Sequence, residues 1–168
     1  MSPSNSRQYG AHLTLTAVMA FARMGNAERA WQLWSMINPI NHTLNTDSVG
    51  IYKAEPYVMS ADVYSVAPHT GRAGWSWYTG SAGWAYRLLT EELLGIKRSG
   101  ATFTVHARLP DEWSSFSMSY QYGESQYQIM VSRGEGEYRV TLDSIVLPGD
   151  NIPLRDDGKN HTVEILQN

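Results

Sequence analysis

From His69 to Trp84 the chain reads HTGRAGWSWYTGSAGW, which crowds three tryptophans, four glycines, one arginine and one histidine into a single stretch. Residues of these types suit two kinds of chemistry. An oxyanion such as phosphate is held by several N–H donors in a positive local potential, and a helix N-terminus supplies both where glycine lets the backbone come close. Thr79, Gly80 and Ser81 stand where such a helix should open, because the helix-like pattern AYRLLTEELLG follows them, and Arg72 adds charge nearby. Trp75, Trp77 and Trp84 offer flat apolar faces against which the C–H surface of a pyranose ring packs. Each residue also has a plainer reading. The tryptophans can be core, Thr79 to Ser81 an unliganded helix cap, His69 a loop residue and Arg72 a salt-bridge partner. Residue types alone leave both sets open.

The carboxylates pose a second question. Inverting glycosyl transfer needs an acid to protonate the leaving oxygen and a nucleophile on the opposite face of the ring. Glu55 and Asp62 are seven positions apart, which on a helix places them on one face roughly 10 Å apart along the axis. An inverting hydrolase built on that pair is therefore one reading. Other chemistries find no support: HExxH, GxxxxGK[ST], GxSxG and metal-ligand histidine spacings are absent, and there is no cysteine. No cofactor or metal is expected. His106 and His161 fall in predicted strands, where a sheet-surface position is the default, and Asp156 and Asp157 before Gly158 suit a turn.

The elements that must position these groups fall into two halves. HLTLTAVMAFARMG (His12 to Gly25) is apolar almost all round and predicts a helix ended by Gly25; Asn26 then caps AERAWQLWSMIN, which Pro39 closes. IYKAEPYVMSADVYS predicts a short third helix with Pro56 at its first position and Tyr57, Ser60, Val63 and Tyr64 on one face. A fourth should run from about Gly80 to Leu94 and stop at Gly95. Beyond Gly95 the period changes to two, as in Phe103, Val105 and Ala107 or Phe116, Met118, Tyr120 and Tyr122, and YGES, GEGE, PGDN and DDGKN punctuate the segments. That series predicts an antiparallel sandwich. The fold class expected is α+β, with residues 1–95 helical and 96–168 in sheet. Thirteen basic and sixteen acidic residues, interspersed, give a net charge of −3, so nucleic acid is not an expected partner. The N-terminal residues show no signal pattern and no apolar run reaches membrane-spanning length, so a soluble chain is expected.

The succession NPINHT, YKAEPYVMSADVYS, GRAGWSWYTGSAGWAYR, LPDEW and IPLRDDGKNHTV resembles the C-terminal region of glycoside hydrolase family 94. These are inverting glycoside phosphorylases, together with the phosphorylase-like module of cyclic β-1,2-glucan synthases, and EPYV, ADVY and WYTGSAGW favour the synthase branch. The resemblance runs from about Gln8 to Leu166. It implies the closing helices of an (α/α)6 toroid followed by a terminal sandwich. It also implies that His69, Thr79 and Gly80 hold the phosphate co-substrate, that Glu55 binds sugar hydroxyls, and that Lys53, Trp75 and Trp77 border the sugar. The family's general acid is an aspartate in a DWND motif, which this chain does not contain, so no catalytic residue is assigned and no turnover is expected from the chain alone. At the start the family often reads QYTHAA where this chain reads QYGAHLT. Expected ligands are a β-linked glucan or disaccharide and phosphate. Helical faces that the remainder of a toroid would cover imply self-association or a companion chain, and the implied location is cytoplasmic, free or as a module of a membrane-bound synthase. The rival reading is a non-catalytic carbohydrate-binding or assembly module.

Overall fold

The computed structural model describes residues 8–77 and 79–168, and the chain divides into two compact units, the first ending at Leu89 and the second spanning Thr90–Asn168. The class is α+β.

In the first unit a short strand, β1 (Gln8–Gly10), leads into α1 (Ala11–Arg23), and Gly25 at φ +80° makes the turn to α2 (Ala27–Ser35). The Asn26 side chain accepts a hydrogen bond from Arg29 N, satisfying one of the donors that a helix start leaves open. Leu15, Val18, Ala22, Ala30 and Trp34 bury the facing sides of this hairpin. Asn38 caps a 3-10 turn, Pro39–His42.

The third helix differs from expectation. α3 spans Thr46–Tyr52, ahead of Pro56, and Asp62–Tyr64 forms strand β2, paired antiparallel with β1. A capping box decides the matter: Asn45 accepts from Ser48 N while Ser48 Oγ accepts from Asn45 N, starting the helix early. Lys53, in the left-handed region at φ 56°, ends it. Glu55 and Asp62 thus share no helix.

α4 (Thr79–Arg87) continues as a π-helical turn, Leu88–Leu93, which Gly95 terminates at φ +74°. A side chain at Gly95 is excluded on spatial grounds as well, since its Cβ would sit 2.0 Å from the His106 carbonyl oxygen.

The second unit holds two sheets. One has three antiparallel strands, β3 (Ile96–Ser99), β4 (Thr102–Val105) and β9 (Ile152–Pro153), with β4 central. The other comprises β5 (Ser115–Tyr122), β6 (Ser125–Arg133), β10 (Asn160–Gln167), β7 (Arg139–Leu142) and β8 (Ile145–Val146), in that spatial order. The expected antiparallel arrangement is corrected here: β10 inserts between β6 and β7 and runs parallel to β6. β6 and β10 alternate buried and accessible residues along their length, which fixes one face inward. Phe103, Val105 and Ile152 from the small sheet join Tyr127, Ile129, Val131, Val140, Val163 and Ile165 from the large one in a single core.

Candidate functional site

The tryptophan-rich segment is held by backbone pairing against β2. Tyr64 N donates to Arg72 O at 2.9 Å, Gly74 N to Asp62 O at 3.0 Å and Ala61 N to Trp75 O at 2.6 Å, so residues 72–75 lie along β2 like a further strand. Tyr52, Val63 and Ala73 form the apolar anchor beneath this layer. Burial pushes the Tyr52 hydroxyl pKa above its ordinary value, against the opposing effect of its contact with Ser60.

Above that anchor the aromatic rings face outward. Trp75 is 71% exposed and Trp77 64%, so neither is core. Trp77 also adopts φ 63°, a left-handed backbone that costs a bulky residue about 1–3 kcal/mol. Its indole Nε1 donates to Glu55 Oε1 at 3.4 Å, and its ring meets Tyr57 edge-on at 6.4 Å. The structure therefore joins Glu55 and Trp77, twenty-two residues apart, into one group with Tyr57.

His69 and Trp75 meet elsewhere, lining an open cleft of ≈ 290 Å³ with Tyr64, Arg72, Ala73 and Gly74. His69 is exposed and packs edge-on against Tyr64 at 5.9 Å. Gly80 is not among the described residues lining this cleft. It lies in the first turn of α4, exposed, with nothing within 4 Å of where a Cβ would stand. Thr79 opens α4, and its side chain lies outside the described residues, as does Tyr78. Ser81 is fully buried and Lys53 is exposed at the end of α3.

Sequence reasoning missed the relation between Asp62 and Gly74. A Cβ on Gly74 would fall 1.7 Å from Asp62 Oδ1, yet no left-handed φ requires glycine at this position. The glycine makes room for the carboxylate. Asp62 Oδ1 is buried with no hydrogen-bond partner, an exception to the usual pairing of interior polar atoms. The available signal was the Gly–Trp pair itself, read only as bare backbone.

In the second unit His161 is corrected from a sheet-surface position: it is 4% exposed, with Nδ1 2.7 Å from Asp143 Oδ2 and Nε2 3.1 Å from Asp157 Oδ1. The ring stacks on Tyr127 at 4.7 Å. Hydrogen bonding to Asp143 raises the His161 pKa against desolvation, and the reciprocal bond lowers that of Asp143. For Asp157 desolvation opposes the change, but hydrogen bonds involving His161, Lys159 N and Ser125 bring its pKa below the usual value. Through its two carboxylate partners the buried ring ties the turn at Asp143 and the loop at Asp157 to β10. Among the described residues no group of three or more His, Cys, Asp or Glu is placed to hold a metal ion, and no helix is long and apolar enough to cross a membrane.

Comparison with known proteins agrees with the resemblance drawn from the motifs. Residues 4–95 match the glycosyl hydrolase 94 superfamily, catalytic domain. The cyclic β-(1,2)-glucan synthase NdvB of Rhizobium meliloti (strain 1021) is 40% identical over 144 residues, covering 84% of this chain and 5% of the synthase. The N,N'-diacetylchitobiose phosphorylase of Vibrio furnissii is 30% identical over 147 residues, 84% of this chain and 17% of that protein. The solabiose phosphorylase of Paenibacillus borealis is 28% identical over 153 residues, 88% of this chain and 20% of that protein. The chain thus spans a fifth or less of the length of each of these relatives. With the family match covering more than half of its residues, the chain belongs to the glycosyl hydrolase 94 superfamily.

Proposed function

We propose that this chain supplies part of the phosphate and sugar site of an inverting glycoside phosphorylase or cyclic β-1,2-glucan synthase, with its helical unit serving as closing helices of an (α/α)6 toroid and its paired sheets as the terminal sandwich. Glu55 accepts hydrogen bonds from sugar hydroxyls, Trp75 and Trp77 present ring faces to the pyranose, and Lys53 borders them. His69, with the Thr79–Gly80 amides at the start of α4, holds inorganic phosphate. The observation that carries the reading is the exposed pairing of Trp77 with Glu55. A left-handed tryptophan is an unfavourable conformation, and here it sets an aromatic face beside a carboxylate that has no ion-pair partner among the described residues.

Binding groups alone do not protonate a leaving group. The DWND aspartate is absent from these residues, so the chain by itself releases no sugar 1-phosphate from cellobiose, chitobiose or β-1,2-glucan in phosphate buffer. Detecting that product above blank would overturn this part of the proposal. Binding is tested separately: titration with a β-linked disaccharide should perturb the indole signals of Trp75 and Trp77, and Glu55→Gln should weaken the titration. Wild-type affinity in that variant would remove Glu55 from the site.

A non-catalytic carbohydrate-binding or assembly module is the second reading, favoured by the exposed apolar residues Leu13, Leu44, Ile40 and Met24 on the helical unit. Such surface is usually covered by a second copy or a companion chain. Sedimentation should then show concentration-dependent association, and sugar binding should depend on Trp75 and not on phosphate.

A further inference from the structure

We infer that the second unit carries its own binding groove for a neutral, extended oligosaccharide, separate from the tryptophan cluster. A cleft of ≈ 590 Å³ opens between residues 135–140 and 146–150 of this unit. One of its walls is Tyr138, fixed on two sides. The phenol Oη donates to Val105 O at 2.7 Å, and the ring stacks on His106 at 4.9 Å, 27° from coplanar. His106 in turn lies 3.0 Å from Asp150 Oδ2, which ties the opposite lip of the cleft to the same support. Burial, together with the Asp150 charge, pushes the Tyr138 hydroxyl up to about 12. The ring therefore stays a neutral, held surface, 36% exposed, in a cleft that Pro148 also lines. Rigid aromatic surface of this kind is what a pyranose face packs on at low entropic cost.

Polar groups converge on that surface without being used internally. Glu137 and Arg139 line the cleft and are exposed, and their side chains make no hydrogen bond or ion pair with another described residue. Arg139 and Leu166 also line a smaller cleft of ≈ 180 Å³ on the outer face of the large sheet, where Glu164 stands between Met130 and Thr141 on the neighbouring strands. Two clefts that share a wall make one elongated path, which fits a chain of sugar units better than a compact metabolite. Charge decides the class further. Glu135, Glu137, Asp150 and Glu164 face a single guanidinium, so a polyanion is repelled and a neutral polyol, able to donate to carboxylates and accept from Arg139, is favoured. The groove lies wholly within the second unit and its test does not depend on the site at Trp75.

The test is an amide-shift titration of the whole chain with linear β-1,2-linked glucooligosaccharides in phosphate-free buffer. Saturable shifts at residues 135–140, 146–150 and 164–166, unchanged by Trp75→Ala, are expected. Tyr138→Ala should weaken that binding by roughly five- to tenfold, the effect of removing one aromatic face. Should Tyr138→Ala fail to fold, Glu137→Gln with Arg139→Met, two exposed changes, reads the same loss. Shifts confined to the Trp75 region, no saturation at these residues, or perturbation of them by spermidine and not by sugar would each overturn the groove.

Discussion

The two units differ in how much large apolar side chain they leave exposed. In the sheet unit Phe103, Tyr127, Ile129, Val131, Ile152 and Ile165 are sealed in one core, with at most 1% of any of them exposed. In the helical unit Leu13, Leu44, Tyr57, Trp75 and Trp77 are each more than 60% exposed, and the small cluster of Tyr52, Val63 and Ala73 anchors only the layer beneath the tryptophans. The sheet unit also exposes Met130, Ile145 and Val146, but the longer run of exposed apolar side chains lies in the helical unit. This contrast fits a unit that folds independently beside one whose exposed rings are available to ligand or partner.

The sharpest way to break the comparison is to truncate one large apolar side chain in each unit. Phe103 is fully buried and packs at 5.5 Å on Tyr120 and 5.8 Å on Tyr127. Phe103→Ala should cost about 3–5 kcal/mol through lost transfer energy and the cavity left behind, read as a large drop in the denaturant midpoint of sheet-unit amide signals. Leu13→Ser, at a residue 79% exposed, should change stability by less than about 0.5 kcal/mol. Equal losses in the two variants would erase the distinction.

Gly74 offers a finer probe within the helical unit. Gly74→Ala drives a methyl onto Asp62 Oδ1 and should destabilise by about 1–3 kcal/mol, in the range of overpacked cores. Because the clash is with one carboxylate, Asp62→Ala should relieve it, so the double variant should be more stable than Gly74→Ala alone. Additivity of the two changes in urea melts would show that the collision is taken up elsewhere.

Much of this architecture was legible in the chain. The Asn26 cap, the Gly25 and Gly95 stops and the two-residue period after Gly95 are local signals, and each corresponds to an observed boundary. What failed was non-local or weakly periodic. α3 has only seven residues and is specified by the Asn45–Ser48 capping box and not by an apolar stripe, so the stronger periodicity around Pro56 misled. Nothing in β10 or β6 records that they pair in parallel, because the choice of strand neighbour is made by the whole sheet. His161 reads as a surface residue until the fold brings Asp143, eighteen positions away, to its Nδ1. In the candidate site the residue types were legible, but the grouping was not. Only the folded chain pairs Glu55 with Trp77 and sets His69 beside Trp75.

The His161 cluster separates the units by pH. A histidine whose folded pKa is raised contributes stability that is complete below its unfolded value, about 6.5, and is lost as pH rises through the folded value. Asp143 and Asp157, lowered on folding, contribute stability present above about 3.9 and lost as pH falls through their folded values. Tyr127 and the Arg155 charge also neighbour the cluster. The sheet unit should therefore be most stable between about pH 4 and 6.5, and His161→Gln should flatten the alkaline decline. An unchanged alkaline slope in that variant would assign the decline to another group.

The smallest effect tests a strained hinge. Lys53 ends α3 at φ 56°, a conformation that glycine adopts without a Cβ penalty. Its side chain is exposed, so replacing it removes strain and little packing. Lys53→Gly should therefore raise the melting midpoint of the helical unit by no more than about 1 kcal/mol in stability, the gain being reduced by the extra freedom of an unfolded glycine. The sheet unit should not respond. Because the same residue is proposed to border the sugar, a variant that gains stability while losing affinity for a β-linked disaccharide would identify the Lys53 side chain as retained for binding at the cost of a strained turn, whereas unchanged affinity would leave Lys53 as a helix terminator alone.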